Sequence, residues 1–144
     1  MIDQNILNSF KGKNCLITGG TGMIGREIAL LLLKAEAHVR VISLDEIKIH
    51  NKIDHVYGDL TSFEFCKQQT KDMNFVFHVA GIKGSVKVTK EQPASFFVPL
   101  LMFNTNVLEA SRINNVEKLV YTSSIGAYSS NDIFVESDDE EQKP

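Results

Sequence analysis

The residues Cys15-Leu16-Ile17-Thr18-Gly19-Gly20-Thr21-Gly22-Met23-Ile24-Gly25-Arg26-Glu27 restrict this chain to few folds. An apolar run ends in a glycine-dense turn, and the turn opens directly into the apolar, helix-forming run 28–33. That order reads as strand, tight loop, helix. Glycines suit such a loop because a side chain would hold the backbone away from whatever binds there, and because the turn needs dihedrals that other residues avoid. A helix starting at the loop aims its unpaired N–H groups and positive dipole end at one spot, which makes a seat for a phosphate.

Two registers fit a dinucleotide loop. Gly20, Gly22 and Gly25 give G-x-G-x-x-G, while Gly19, Gly22 and Gly25 give the wider T-G-x-x-G-x-x-G. A Walker loop has the spacing of Gly20 and Gly25, but Arg26-Glu27 stand where it needs Lys and Ser/Thr, so nothing there can hold magnesium.

A chain of 144 residues fits one domain, 1–144, with a leader or short helix over 1–11 and an acidic loop or tail over 131–144. The net charge is −3, with both signs interspersed until the end. No basic field for nucleic acid or an anionic membrane is present, so neither is expected as a partner. The longest apolar run is far too short to span a bilayer, and no basic start marks the N-terminus, so a soluble, cytoplasmic protein is expected. Cys15 and Cys66 lie among apolar residues and read as core thiols in a reducing compartment. His38, His50, His55 and His78 lack metal-ligand spacing, and no metal is expected.

The strands are expected at 13–18, 38–43, 55–61, 75–81 and 118–124. Helices are expected at 26–35, after Thr61 or Ser62, and from Pro93 or Pro99 to about Asn114, with Pro99 at a first turn or a kink. The inner face of the last helix is read as Phe97, Leu101 and Leu108, joined by Met102 and Val107. Lys83, Lys87 and Lys90 are read as a solvated loop, and His78 as a packed or backbone-bonded residue. This alternation predicts an α/β Rossmann-type doubly wound parallel sheet in the order 3-2-1-4-5, helices on both faces, truncated after the fifth strand.

In such a sheet ligands bind beyond the carboxyl ends of the strands. Thr18 to Gly25, Asp45, Asp59, Ala80-Gly81 and Ser123-Ser124 each follow a strand end, so five stretches converge on one edge. The loop supplies Gly19, Thr21, Gly22, Met23, Ile24 and Gly25. Asp45, 20 residues past Gly25, suits the adenosine ribose hydroxyls and favours NAD over NADP, although Arg40 or Lys48 could approach a 2′-phosphate. Asp59 suits the adenine amino group, or simply caps the following helix.

With these residues assembled, the chain resembles the extended short-chain dehydrogenase/reductase family, in particular its NAD-dependent epimerase/dehydratase group that modifies nucleotide sugars. The resemblance rests on Thr18-Gly19-Gly20-Thr21-Gly22-Met23-Ile24-Gly25, Gly58-Asp59-Leu60, Phe77-His78-Val79-Ala80, Asn106-Val107-Leu108-Glu109-Ala110 and Val120-Tyr121-Thr122-Ser123-Ser124. The stretch 81–106 is similar to GDP-fucose synthase relatives, although Leu100 stands where many relatives have asparagine. The resemblance implies NAD (or NADP) as cofactor, held also by Leu60, Val79, Thr122 and Ser123. It further implies a nucleotide-sugar substrate, a sugar oxygen bonded by Ser124, and homodimers paired through two helices per subunit, one of them 99–114 here.

The family's acid/base pair, Tyr-x-x-x-Lys, is missing: Tyr57, Tyr121 and Tyr128 are followed four residues on by Thr61, Ile125 and Asp132. The chain is therefore expected to be the amino-terminal, cofactor-binding portion of a longer enzyme, able to bind NAD(H) without turning over. A non-catalytic dinucleotide-binding or redox-sensing module is the alternative, and a methyl donor on the same loop is another.

Overall fold

The computed structural model describes residues 3–82 and 86–123. Strand β1 (Asn14–Thr18) lies at the centre, hydrogen-bonded in parallel to β2 (His38–Ser43) on one side and β4 (Phe75–His78) on the other. Strand β3 (Asp54–Tyr57) lies outside β2 and β5 (Lys118–Tyr121) outside β4, so the sheet runs 3-2-1-4-5, all parallel. This is the doubly wound order expected from the sequence.

A strand covered on both faces has no solvent side, and Cys15, Leu16, Ile17 and Thr18 are each fully buried. Alternation sorts them. Cys15 and Ile17 join Val39 and Val41 against Ala29 and Leu32 of α2 (Met23–Lys34). Leu16 joins Ile42 and Val76 on the opposite face, against Cys66 of α3 (Phe63–Thr70) and Phe103, Val107 and Ala110 of α5 (Pro93–Ile113). The leader forms a short helix, α1 (Gln4–Asn8), capped by the Asp3 carboxylate on the Asn5 N–H at 2.9 Å. Phe10 beyond it packs edge-on against Phe75 with ring centres 5.0 Å apart.

Several boundaries differ from the sequence reading, each for a local reason. Helix α2 begins at Met23 rather than Arg26, because Gly22 is the extended N-cap residue and its carbonyl already accepts from the Arg26 N–H at 2.9 Å. Strands β3, β4 and β5 stop at Tyr57, His78 and Tyr121. Gly58 to Thr61, Val79 to Gly81 and Thr122-Ser123 are therefore loop rather than strand. Ser62, not Thr61, caps α3, its hydroxyl accepting from the Phe65 N–H. The lysine-bearing loop is partly a short helix, α4 (Val86–Glu91), which carries Lys87 and Lys90; Lys83 lies outside the described residues.

The largest correction concerns α5. Pro93 begins it and Pro99 lies inside it. Its buried residues are Phe103, Val107, Ala110 and Ser111, whereas Phe97, Leu101, Met102 and Leu108 are about half exposed. Of the expected inner face only Val107 is right. Apolar residues occur around much of this helix, so the 3.6-residue period has more than one solution, and packing on α3 and the sheet selects the 103/107/110/111 stripe.

Candidate functional site

The glycine turn is held shut by its own backbone. The Gly19 N–H donates to the Ile42 carbonyl at 2.8 Å, and the Gly22 N–H donates to the Gly19 carbonyl at 3.1 Å. Gly19 has φ +66°, and a Cβ on it would lie 2.7 Å from Ala80 Cα, so only glycine lets the turn touch the end of β4. A Cβ on Gly25 would meet Gly20 Cα at 2.7 Å, because the first turn of α2 lies directly on the loop. Gly25 belongs to both registers, and a Cβ on Gly20, of the narrower one, would meet the Val41 side chain at 2.5 Å. Gly22 provides no side-chain cap, which leaves the first-turn amides at Met23, Ile24 and Gly25 to an outside acceptor. Met23 is 85% exposed.

Asp45 lies against this loop. The Thr21 hydroxyl donates to Asp45 Oδ2 at 2.9 Å, while Asp45 Oδ1 accepts from the Ile47 N–H at 3.2 Å. The Ser43 hydroxyl donates to the Asp45 carbonyl at 2.6 Å, fixing the bend after β2. Asp59 stands one strand further out, joined through the Gly58 N–H to the Ser43 carbonyl at 3.1 Å. Its Oδ1 accepts from the Thr61 N–H at 2.9 Å, so it turns the chain toward α3 while its side chain stays exposed. Leu60 is buried and belongs to the core beneath.

On the other side of the loop, the Ala80 N–H donates to Thr18 Oγ1 at 3.3 Å and the Thr122 N–H to the His78 carbonyl at 3.3 Å. Val79 and Ala80 are half-buried, whereas Gly81 and Ser123 are exposed, and a Cβ on Gly81 would meet nothing within 4 Å. The described candidates thus gather along one edge, stitched from β3 to β5. Ser124 lies outside the described residues.

Behind the edge, His78 is fully buried. Its Nδ1 is 2.6 Å from Thr18 Oγ1 and its Nε2 is 2.8 Å from Asn104 Oδ1. It is packed as expected, but bonded by side chains rather than backbone. Burial lowers its pKa below the ordinary 6.5, against a smaller upward pull from the Asn104 hydrogen bond. Two further asparagines escaped the sequence reading as individuals. Asn104 reaches His78, and Asn106 donates both amide hydrogens, to the Leu60 carbonyl at 3.1 Å and the Thr61 carbonyl at 2.9 Å. Their signal is polar amides set between the buried Phe103 and Val107.

Cys15 and Cys66 are free and buried, their thiols pushed up to about 12 and about 11, chiefly by desolvation. Such thiols are not nucleophiles near neutral pH. Two clefts of about 240 and 390 Å³ open at the amino ends of the strands, around Asn14, Arg40 and Met73. They face away from the glycine loop, and Arg40 is already paired with Asp54 at 2.7 Å. Among the described residues no cluster of His, Cys, Asp or Glu could hold a metal ion, and no helix is long and apolar enough to cross a membrane.

A family model described as NAD dependent epimerase/dehydratase matches residues 15–144, from the first residues of the glycine-loop strand onward. The chain belongs to the NAD dependent epimerase/dehydratase family. A UDP-glucose 4-epimerase of Rickettsia bellii (strain OSU 85-389) is 32% identical over 133 residues, covering 79% of this chain and 37% of that protein. The structure of epimerase Mth375 from Methanothermobacter thermautotrophicus superposes with a TM-score of 0.83 at 26% identity, covering 94% of this chain and 43% of that one. A UDP-N-acetylglucosamine 4-epimerase from Methanobrevibacter ruminantium M1, in complex with UDP-N-acetylmuramic acid, gives 0.74 at 26% identity, covering 88% and 43%. The chain thus spans 37–43% of the length of these relatives.

Proposed function

We propose that this chain binds NAD(H) along the carboxyl edge of its sheet and forms the cofactor-binding portion of a nucleotide-sugar epimerase, dehydratase or reductase. The observation that carries this reading is the Thr21–Asp45 hydrogen bond at 2.9 Å, which brings a ribose-type carboxylate against a glycine-rich phosphate loop. The pyrophosphate would rest on the backbone of Gly19, Thr21, Gly22, Met23, Ile24 and Gly25. Asp45 would accept from the adenosine ribose, Asp59 and Leu60 would border the adenine, and Val79, Ala80, Gly81, Thr122 and Ser123 would line the nicotinamide half. Bound nicotinamide supplies a reversible hydride acceptor for a sugar carbon. Ser124 is assigned to the sugar oxygen, and UDP-sugar epimerases among the relatives support a nucleotide sugar as substrate.

Tyr-x-x-x-Lys does not occur in these 144 residues, which favours binding without turnover for the chain itself. The half-exposed apolar stripe of Phe97, Val98, Leu101 and Met102 on α5 supports pairing with a second copy. The two buried free thiols fit a reducing compartment, and a cytoplasmic location is part of the same reading.

Calorimetric titration with NADH, NADPH and S-adenosylmethionine tests the cofactor assignment. NADH is expected to bind more tightly than NADPH, and Asp45→Asn to weaken NADH by roughly tenfold, the loss of one charge-assisted hydrogen bond. Binding of the methyl donor alone, or of no dinucleotide, would overturn the assignment. Epimerase or dehydratase turnover by the 144-residue chain would overturn the non-catalytic part.

A further inference from the structure

Three elements meet at His78. Thr18 comes from the end of β1, Phe103 and Asn104 from the middle of α5, and Tyr121 from β5, with its ring centre 5.8 Å from the imidazole. Tyr121 is the titratable member of this set, and none of the others carries a titratable side chain. The proton positions follow from counting donors. Thr18 Oγ1 accepts the Ala80 N–H, so its own hydrogen needs an acceptor, and the partner available is His78 Nδ1. Nδ1 is then bare, Nε2 carries the ring proton, and that proton goes to Asn104 Oδ1. An Asn104 amide turned the other way would put the proton on Nδ1 and leave the Thr18 hydroxyl hydrogen pointing at another donor. The chain of bonds therefore runs from the Ala80 amide through Thr18 and His78 to Asn104.

We propose that Asn104 is a positioning residue for the cofactor site: by accepting from His78 Nε2 it fixes the tautomer that receives the Thr18 hydroxyl, and this holds the Ala80 backbone against the glycine loop. The inference rests on the NAD(H) reading above and extends it to a residue that touches no cofactor. Its geometric root is the missing Cβ of Gly19, which brings the loop onto Ala80, where one peptide serves both as floor of the site and as end of the relay. An imidazolium at position 78 would donate from both nitrogens, so its Nδ1–H would join the Ala80 N–H as a second donor to Thr18 Oγ1 and the Thr18 hydroxyl hydrogen would lose its acceptor.

The experiment uses the 144-residue chain with ¹⁵N-labelled histidine, and the variants Asn104→Asp and Asn104→Leu. In the wild type the residue-78 ring is expected to be neutral with its proton on Nε2; a proton on Nδ1 near neutral pH overturns the relay. Asn104→Asp puts a carboxylate beside Nε2 and is expected to hold a second proton on the ring at pH 7. NADH affinity should then fall about five- to tenfold, the cost of one weakened hydrogen bond, and recover as rising pH removes the added proton. Asn104→Leu should lose affinity without that pH dependence. A folded variant of either kind binding NADH like the wild type at every pH overturns the positioning role alone. A wild type that binds no NADH overturns the cofactor reading and the positioning role together, while its ring tautomer still reports on the relay.

Discussion

Gly19 and Gly81 flank the same contact and are under opposite constraints. At Gly19 an alanine meets both a left-handed φ and the Ala80 backbone, so Gly19→Ala is expected to cost about 2–4 kcal/mol, from the dihedral and the overpacking together. Gly81 faces open space, and Gly81→Ala should stay within about 0.5 kcal/mol. Urea denaturation of the two variants measures the difference, and equal losses would contradict the geometry. The sequence marks both glycines as sites where backbone approaches a ligand. It cannot separate them, because the difference lies in what stands opposite each one, a matter of tertiary contact. The placement of Asp45 beyond the second strand is readable from its distance past the loop; that Thr21 bonds it depends on the bend after Ser43, which no spacing encodes.

Helix α5 makes the same point for an element. Phe103 is 7% exposed beneath the helix and Phe97 is 55% exposed on its outer side. Phe103→Ala is therefore expected to cost about 3–5 kcal/mol, whereas Phe97→Ala in dilute solution should change stability by less than about 0.5 kcal/mol. Chemical denaturation at low protein concentration reads both, and the reverse order would mean that the helix is rotated. The five strands and their order were readable because each is a short apolar run closed by glycine or hydroxyl residues, and a parallel sheet with a glycine loop after its first strand has few topologies. The phase of α5 was not. With apolar residues at 96–98, 100–103 and 107–108, the burial pattern is decided by α3 and by the His78 ring, to which Phe103 stands edge-on at 5.7 Å between centres.

Buried titratable groups set a pH window for the whole molecule. The unfolded chain takes up a proton on the residue-78 imidazole near pH 6.5, but desolvation delays this in the folded state. Stability from that ring is complete above pH 6.5 and declines as the pH falls below it. The thiols act at the other end. Unfolded cysteines ionise near pH 9.0, while Cys15 and Cys66 stay neutral until about 12 and about 11, so stability declines above pH 9.0 as the unfolded state sheds protons first. Thermal melts at pH 5.5, 7.5 and 10 should peak at the middle value. His78→Asn should flatten the acid limb, and Cys66→Ala should reduce the alkaline one.

The central place of β1 also bears on how the protein is made. Thr18 pairs with Ile42 on one side and with His78 on the other, so the strand acquires its two neighbours at different moments of synthesis. A nascent chain can zip the first pair as soon as α2 and β2 emerge. Until residues 75–78 leave the ribosome, a stretch that ends up wholly shut off from solvent keeps one flank bare, an invitation to chaperones and to stray strands alike.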